Sequence, residues 1–87
     1  MSYYVYILKC SDNTYYTGIT TDLERRLLEH NSSVKGAKYT RNRRPVIVVY
    51  SEENHDKSSA SKREYEIKKL SRVQKIELVF RGDLKSV

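Results

Sequence analysis

The stretch from Tyr3 to Gly18 limits the possible folds of this chain most. Two runs of aromatic and β-branched residues, Tyr3-Tyr4-Val5-Tyr6-Ile7-Leu8-Lys9 and Tyr15-Tyr16-Thr17-Gly18-Ile19, flank the turn-forming Ser11-Asp12-Asn13-Thr14. That pattern predicts a β-hairpin. The first run is apolar or aromatic on both alternating faces, as in a central strand covered on two sides. Register then matters. Tyr6 and Tyr16 share a face only if paired residue numbers sum to an even value. A three-residue loop, Ser11 to Asn13, achieves this; a two-residue Asp12-Asn13 loop puts them on opposite faces. Gly18 inside a strand marks a bulge or a close approach to the backbone.

Downstream, Thr20-Thr21-Asp22 offers an N-cap to a helix running to about Asn31, with Asn31-Ser32-Ser33 ending it. Leu23, Leu27 and Leu28 are its expected buried stripe. Asp22, Arg26 and His30 stand at i, i+4 and i+8 on a neighbouring stripe. Residues 35–44 carry five cations and no acid, and Pro45 closes the segment. Val46 to Tyr50 reads as a third strand and Ser51 to Asp56 as an acidic loop. From Lys57 the period is helical, with Ala60, Glu64, Ile67 and Ser71 on one face. Ser71 caps an expected short helix, Val73 to Phe80, burying Ile76, Val79 and Phe80. The chain is expected to fray from Arg81, giving one domain over 1–82 and a tail over 83–87. The fold class is α+β: a small three-stranded antiparallel sheet flanked by helices.

With 87 residues there is room for one domain and one small core. Seventeen Lys and Arg against eleven Asp and Glu give a net charge of +6. An anionic partner is the simplest reason for that excess, and nucleic acid is its commonest form. Membrane headgroups fit less well, because no helix pairs a broad apolar face with a basic one. Cys10 is the only cysteine, so an internal disulfide and a cysteine-rich metal site are excluded. At the end of an apolar strand, it reads as a small buried hydrophobe. No signal peptide or membrane span is visible, and a cytoplasmic location is expected.

A few polar residues stand out against this background. Glu64 shares its face with Ala60 and Ile67, so it should point into the domain or a cleft, where a carboxylate needs a cation. That cation is either an Arg or Lys partner or a metal. One carboxylate suffices for Mg²⁺, which keeps several waters and takes further oxygens from phosphates. Arg26, if not simply a solvated surface residue, is shaped to hold phosphate oxygens and stabilise added charge. The tyrosines are poor bases unless nearby positive charge lowers their pKa. In the basic run, Lys35, Lys38, Arg41, Arg43 and Arg44 surround Tyr39, which could stack on a base or bond a phosphate. His55 has no evident partner and is assigned no role.

Taken together, these marks resemble a known family. Tyr4-Val5-Tyr6, nine residues, then Tyr16-Thr17-Gly18 resembles the two short motifs that name the GIY-YIG nucleases. The helix from Asp22 to Asn31 is similar to that family's Arg-bearing helix, with His30 four residues beyond Arg26. Ala60-Ser61-Lys62-Arg63-Glu64, followed by Ile67-Lys68-Lys69-Leu70, is similar to its metal-glutamate helix. The likeness covers nearly the whole chain and is greatest to small single-domain bacterial members. Tyr4 replaces the usual glycine, and Thr17 the usual isoleucine or valine. The resemblance implies a divalent-metal-dependent endonuclease acting on DNA rather than RNA, in repair or recombination. In it, Tyr6 deprotonates or aligns the attacking water, and Arg26 stabilises the transition state. Glu64 holds one Mg²⁺ or Mn²⁺, while Tyr16 and His30 support the nucleophile or the phosphate. The alternative is a non-catalytic nucleic-acid-binding module of the same fold.

Overall fold

The computed structural model describes residues 2–32 and 35–85, with side chains through Arg81. The element order is β1 (Tyr3–Lys9), β2 (Tyr15–Thr20), α1 (Leu23–Ser32), α2 (Lys38–Arg41), β3 (Ile47–Asn54), α3 (Lys57–Lys68) and α4 (Arg72–Lys85). The three strands form one antiparallel sheet in the order β2-β1-β3. The α+β expectation holds, and β1 is the central strand.

The hairpin register is the even one. Tyr6 pairs with Gly18 and Leu8 with Tyr16, leaving Ser11 to Asn13 as the loop. Cys10 N–H donates to the Thr14 carbonyl at 2.8 Å, and Asn13 takes a positive φ of 66°. This is the turn-plus-left-handed-residue geometry of a three-residue hairpin, and asparagine tolerates it well. Asp12 Oδ1 accepts from the Thr14 N–H at 3.2 Å and its hydroxyl at 2.6 Å, which braces the turn.

The strand period divides the core in two. Val5 and Ile7 face α3, where Ala60 and Ile67 are also buried, with Leu78 and Val79 of α4 packed alongside. Tyr6, Leu8 and Cys10 face the other way, against Val46, Leu23 and Leu27. Cys10 is buried, as its position suggested. A bulge in β3 shifts the register between Ile7 and Leu8, so Val49 and Tyr50 both join the first cluster.

Helix starts follow the sequence. Asp22 Oδ1 accepts the Arg25 N–H at 3.1 Å, and Asp56 Oδ1 accepts the Ser59 N–H at 2.7 Å. Ser71 and Gln74 exchange side-chain-to-backbone bonds at 2.9 and 3.2 Å, a reciprocal box that starts α4.

Several boundaries differ from expectation. The third strand runs on to Asn54, because Glu52 and Glu53 pair with Val5 and Tyr4 instead of forming a loop. The basic stretch contains the short helix α2. Helix α4 continues to Lys85, past the point where fraying was expected; Ser86 and Val87 lie outside the described residues, as does Ser33. Leu28 is exposed rather than part of the buried stripe, and Ile76 and Phe80 are exposed on α4. Val79 packs on the core as expected, but Leu78 rather than Ile76 and Phe80 accompanies it, so the helix is rotated from the predicted orientation.

Candidate active site

The site gathers around Tyr6. Its ring comes from the central strand and lies across Gly18 on the edge strand β2. A Cβ at Gly18 would sit 2.6 Å from the Tyr6 hydroxyl oxygen, 2.8 Å from its Cζ and 3.2 Å from Tyr16. The strand glycine therefore marks a close approach, and any side chain there would push the phenol aside.

Helix α1 brings His30 to this hydroxyl. Tyr6 Oη and His30 Nε2 are 2.8 Å apart, and both residues are buried. On its other side, His30 Nδ1 lies 3.0 Å from Thr40 Oγ1, while the Thr40 hydroxyl donates to the Ala37 carbonyl at 2.9 Å. Since that proton is committed, Thr40 accepts from Nδ1–H, and Nε2 is left to accept from Tyr6 O–H. A contact from the Ala37 N–H to Nδ1 would need the opposite tautomer, but at 3.4 Å it is the weaker one. The tautomer is thus assigned from the network. Burial and the nearby Arg26 and Arg44 charges hold the imidazole down at about 4, so it is neutral at neutral pH.

Arg26 lies close enough to the Tyr6 hydroxyl to act on it electrostatically, while pairing with Glu29 at 3.0 Å and donating to the Lys35 carbonyl at 2.8 Å. The Glu64 carboxylate, on α3, also acts on Tyr6 by charge. Its own partner is Lys68 Nζ at 3.2 Å, one turn further on. Arg26 lowers the phenol pKa, as expected of a neighbouring cation, but burial outweighs it. The Tyr6 hydroxyl is pushed up to about 12. With 2% of the residue exposed, this hydroxyl faces His30 at the floor of the site rather than an open cleft. Arg26 and Glu64 are half-buried above it, with side-chain exposures of 26% and 22%.

Tyr16 is the second phenol and is less buried. Its ring meets His30 edge-on at 5.3 Å and stacks on Tyr39 at 6.0 Å and 25°. The even register places it on the Tyr6 face, and Tyr16 contributes to raising the Tyr6 pKa.

The six basic-loop candidates divide. Lys35, Lys38 and Arg41 are exposed. Arg44 donates from Nε to the His30 carbonyl at 2.6 Å and reaches the Glu29 carbonyl at 3.5 Å, bonding the last turn of α1. Arg43 pairs with Asp12 at 3.0 Å and donates to the Tyr39 carbonyl at 2.8 Å. Its guanidinium also lies 4.0 Å over the Tyr39 ring. Tyr39, a candidate to stack on a base or bond a phosphate, remains exposed on one side while its ring stacks on Tyr16 and meets the Arg43 guanidinium. Sequence reasoning missed Thr40, Glu29 and Asp12. The i, i+3 spacing of Arg26 and Glu29 was a usable signal. Thr40, a lone buried hydroxyl inside a run of cations, gave none.

Among the described residues, no group of three or more His, Cys, Asp or Glu could hold a metal ion. The donor available is the single Glu64 carboxylate, a hard oxygen ligand that suits Mg²⁺ or Mn²⁺ if most other positions go to water and phosphate. No helix is long and apolar enough to cross a membrane among the residues described.

Comparison with known proteins bears on the family and the fold. The family model for the GIY-YIG catalytic domain matches residues 2–77. A UPF0213 protein of Desulfotalea psychrophila is 60% identical over 78 residues, covering 90% of this chain and 71% of that protein. A UPF0213 protein of Staphylococcus haemolyticus is 56% identical over 77 residues, 88% of this chain and 93% of the relative. The solution NMR structure of a UPF0213 protein from Bacillus halodurans aligns with TM-score 0.60 at 49% identity, covering 94% of this chain and 87% of that one. That of a protein from E. faecalis aligns with TM-score 0.66 at 48% identity, covering 97% and 88%.

Proposed function

The chain belongs to the GIY-YIG family, a nuclease superfamily, and from that premise we propose that it is a divalent-metal-dependent endonuclease hydrolysing phosphodiester bonds in DNA. The observation that carries this reading is the convergence on one hydroxyl. Tyr6 is held by His30 and lies under the influence of both Arg26 and Glu64.

In this reading Glu64 would hold one Mg²⁺ or Mn²⁺, whose Lewis acidity would serve the leaving 3′ oxygen. Arg26 takes the non-bridging phosphate oxygens, where charge grows in the transition state. Its bonds to Glu29 and the Lys35 carbonyl fix the guanidinium in advance, so little reorganisation remains when substrate binds. Tyr6 donates its hydrogen bond to His30 Nε2, so that as its oxygen takes a proton from the attacking water its own proton passes to the imidazole. Before that transfer the phenol oxygen presents a lone pair and aligns the attacking water by accepting its hydrogen bond. A phosphate at Arg26 offsets the positive field that holds the imidazole down, so substrate itself makes His30 a better proton acceptor. Tyr16, nearer the surface, supports the same phosphate. DNA is proposed over RNA, with repair or recombination as the setting and the cytoplasm as the location. The exposed Lys35, Lys38 and Arg41 are proposed backbone contacts.

The second reading, a nucleic-acid-binding module without catalysis, is favoured by the burial and raised pKa of Tyr6. Cleavage assays separate the two. The protein should nick labelled DNA only with Mg²⁺ or Mn²⁺, and Glu64→Ala should abolish cutting while leaving metal-free binding in place. Intact single-stranded, duplex and branched DNA across both metals, using protein free of contaminating nuclease, would rule the enzyme out.

A further inference from the structure

We propose that Asp12, Arg43 and Tyr39 form a strap from the hairpin turn to α2 that positions the Tyr16 phenol. Arg43 is thereby a positioning residue rather than a nucleic-acid contact. The strap concerns the site proposed above and rests on that reading for its consequence in catalysis, but not for its existence.

Each link is visible in the fold. Asp12 sits in the turn joining β1 to β2, the two strands that carry Tyr6 and Tyr16. Its Oδ1 is taken by Thr14, and its Oδ2 receives Arg43 Nε at 3.0 Å. The Ser11 N–H donates to the Arg43 carbonyl at 2.9 Å, so backbone and side chain bind the same two segments. The other end of the guanidinium donates to the Tyr39 carbonyl at 2.8 Å, and its Cζ lies over the Tyr39 ring, 4.0 Å from the centre. Arg43 therefore spends its fork on a carboxylate and a carbonyl, and its flat face on an aromatic. Only arginine supplies all three at once. Tyr39, held in this way, is the ring against which Tyr16 stacks, with His30 edge-on to Tyr16.

The arrangement gives Tyr16 a fixed place that β2 alone does not provide. On an edge strand a tyrosine has no neighbour on its outer side, and here α2 supplies one. The basic character of residues 35–44 thus has two uses. Some cations face solvent, while Arg43 is absorbed in holding an aromatic ring.

Asp12→Asn and Arg43→Lys test this, because a direct-contact role predicts different signs. Asn keeps the Oδ1 acceptor for Thr14 but loses the charge that receives Arg43. Lys keeps the positive charge for a phosphate but cannot bridge Asp12 and the Tyr39 carbonyl while covering the ring. Both sites are partly exposed, with side-chain exposures of 44% and 35%, so both variants are expected to fold. The first readout is NMR of the Tyr16 and His30 ring protons, which needs no enzymatic activity. Both substitutions should shift these signals and weaken the Tyr16–His30 ring contacts; unmoved signals in either variant overturn the strap. The second readout is affinity for a duplex oligonucleotide in metal-free buffer. The strap leaves affinity and its salt slope unchanged in both variants. Tighter binding by Asp12→Asn, with a steeper salt slope, would return Arg43 to the contact surface and refute the proposal. Where the wild type cuts DNA, both variants should lose about tenfold to a hundredfold in kcat, the cost of a misplaced group. An inactive wild type would end the nuclease reading while the ring signals still decide the strap.

Discussion

Alternate residues of β1 are buried to the same extent but meet different chemistry. Val5 and Ile7, fully buried, pack on Ala60 and Ile67 and need nothing but shape. Tyr6, 2% exposed on the opposite face, reaches buried His30 and through it buried Thr40. The first face gains from removing hydrocarbon from water, at about 1.5–3 kcal/mol per large side chain. The second takes polar groups out of water and recovers that cost only because each hydrogen bond is made. In a domain this small, polar burial costs a large share of the stability, so the phenol and imidazole in its middle are tolerated only as a hydrogen-bonded pair.

The contrast can be broken by removing one member from each face. Ile67→Ala should lower the unfolding free energy by about 2–5 kcal/mol, the range for a buried branched aliphatic. It should leave the His30 ring signals in place. Tyr6→Phe should cost about 1–3 kcal/mol, because His30 Nε2 loses its donor, while cleavage disappears. Urea titrations and cleavage assays on both variants provide the check. If activity simply follows stability in the pair, the two faces are not functionally distinct.

His30 gives the next largest effect and a defined pH window. Folding lowers its pKa from the ordinary 6.5 to about 4. Between those values the unfolded chain binds a proton at this residue that the folded chain refuses, so stability falls as pH falls. The loss begins near pH 6.5, is complete near pH 4 and amounts to about 3 kcal/mol. In His30→Gln this part of the pH dependence should vanish. Denaturation midpoints for both proteins between pH 4 and 8 are the measurement. Parallel curves would mean that His30 is charged, or exposed, in the folded protein.

These two faces were unequally legible in the sequence. The hairpin, the caps at Asp22 and Ser71 and the inward side of Ala60 and Ile67 follow from local patterns of period and turn chemistry, whereas the choice between the two hairpin registers needed the structure. The third strand was cut short because Ser51, Glu52 and Glu53 read as a polar loop. Pairing with β1 overrode that propensity, and Glu52 found Arg63 and Tyr50 across the α3 side. Helix α4 is rotated from expectation because Ile76, Val79 and Phe80 outline an apolar stripe as persuasive as the Leu78 and Val79 side actually packed on the sheet. At the site, spacing put Arg26 and His30 on one stripe of α1. It could not show that α2 would fold back and satisfy the imidazole with Thr40. Nor could charge counting reveal that Arg43 and Arg44 are bonded to the protein itself, since a bonded and a solvated arginine look alike in a sequence.

The smallest effect concerns a flaw on the aliphatic face. Thr17 pairs with Ile7, so its side chain points towards the α3 cluster, where the residue is 3% exposed. Among the described residues its hydroxyl is one of two buried side-chain polar atoms without a hydrogen-bond partner. The family motif usually has isoleucine or valine at this position, which leaves no such group. Thr17→Val removes an unpaired hydroxyl, keeps the β-branch that suits a strand, and fills nearly the same space. It should raise the unfolding free energy by about 1 kcal/mol, at the low end of the penalty for an unsatisfied buried group. The His30 ring signals should not move, because Thr17 and Tyr6 are on opposite sides of the sheet. A lower urea midpoint would mean that the Thr17 hydroxyl is satisfied in solution, by a buried water or by a shift of the edge strand. The face opposite Tyr6 would then be less dry than its packing indicates.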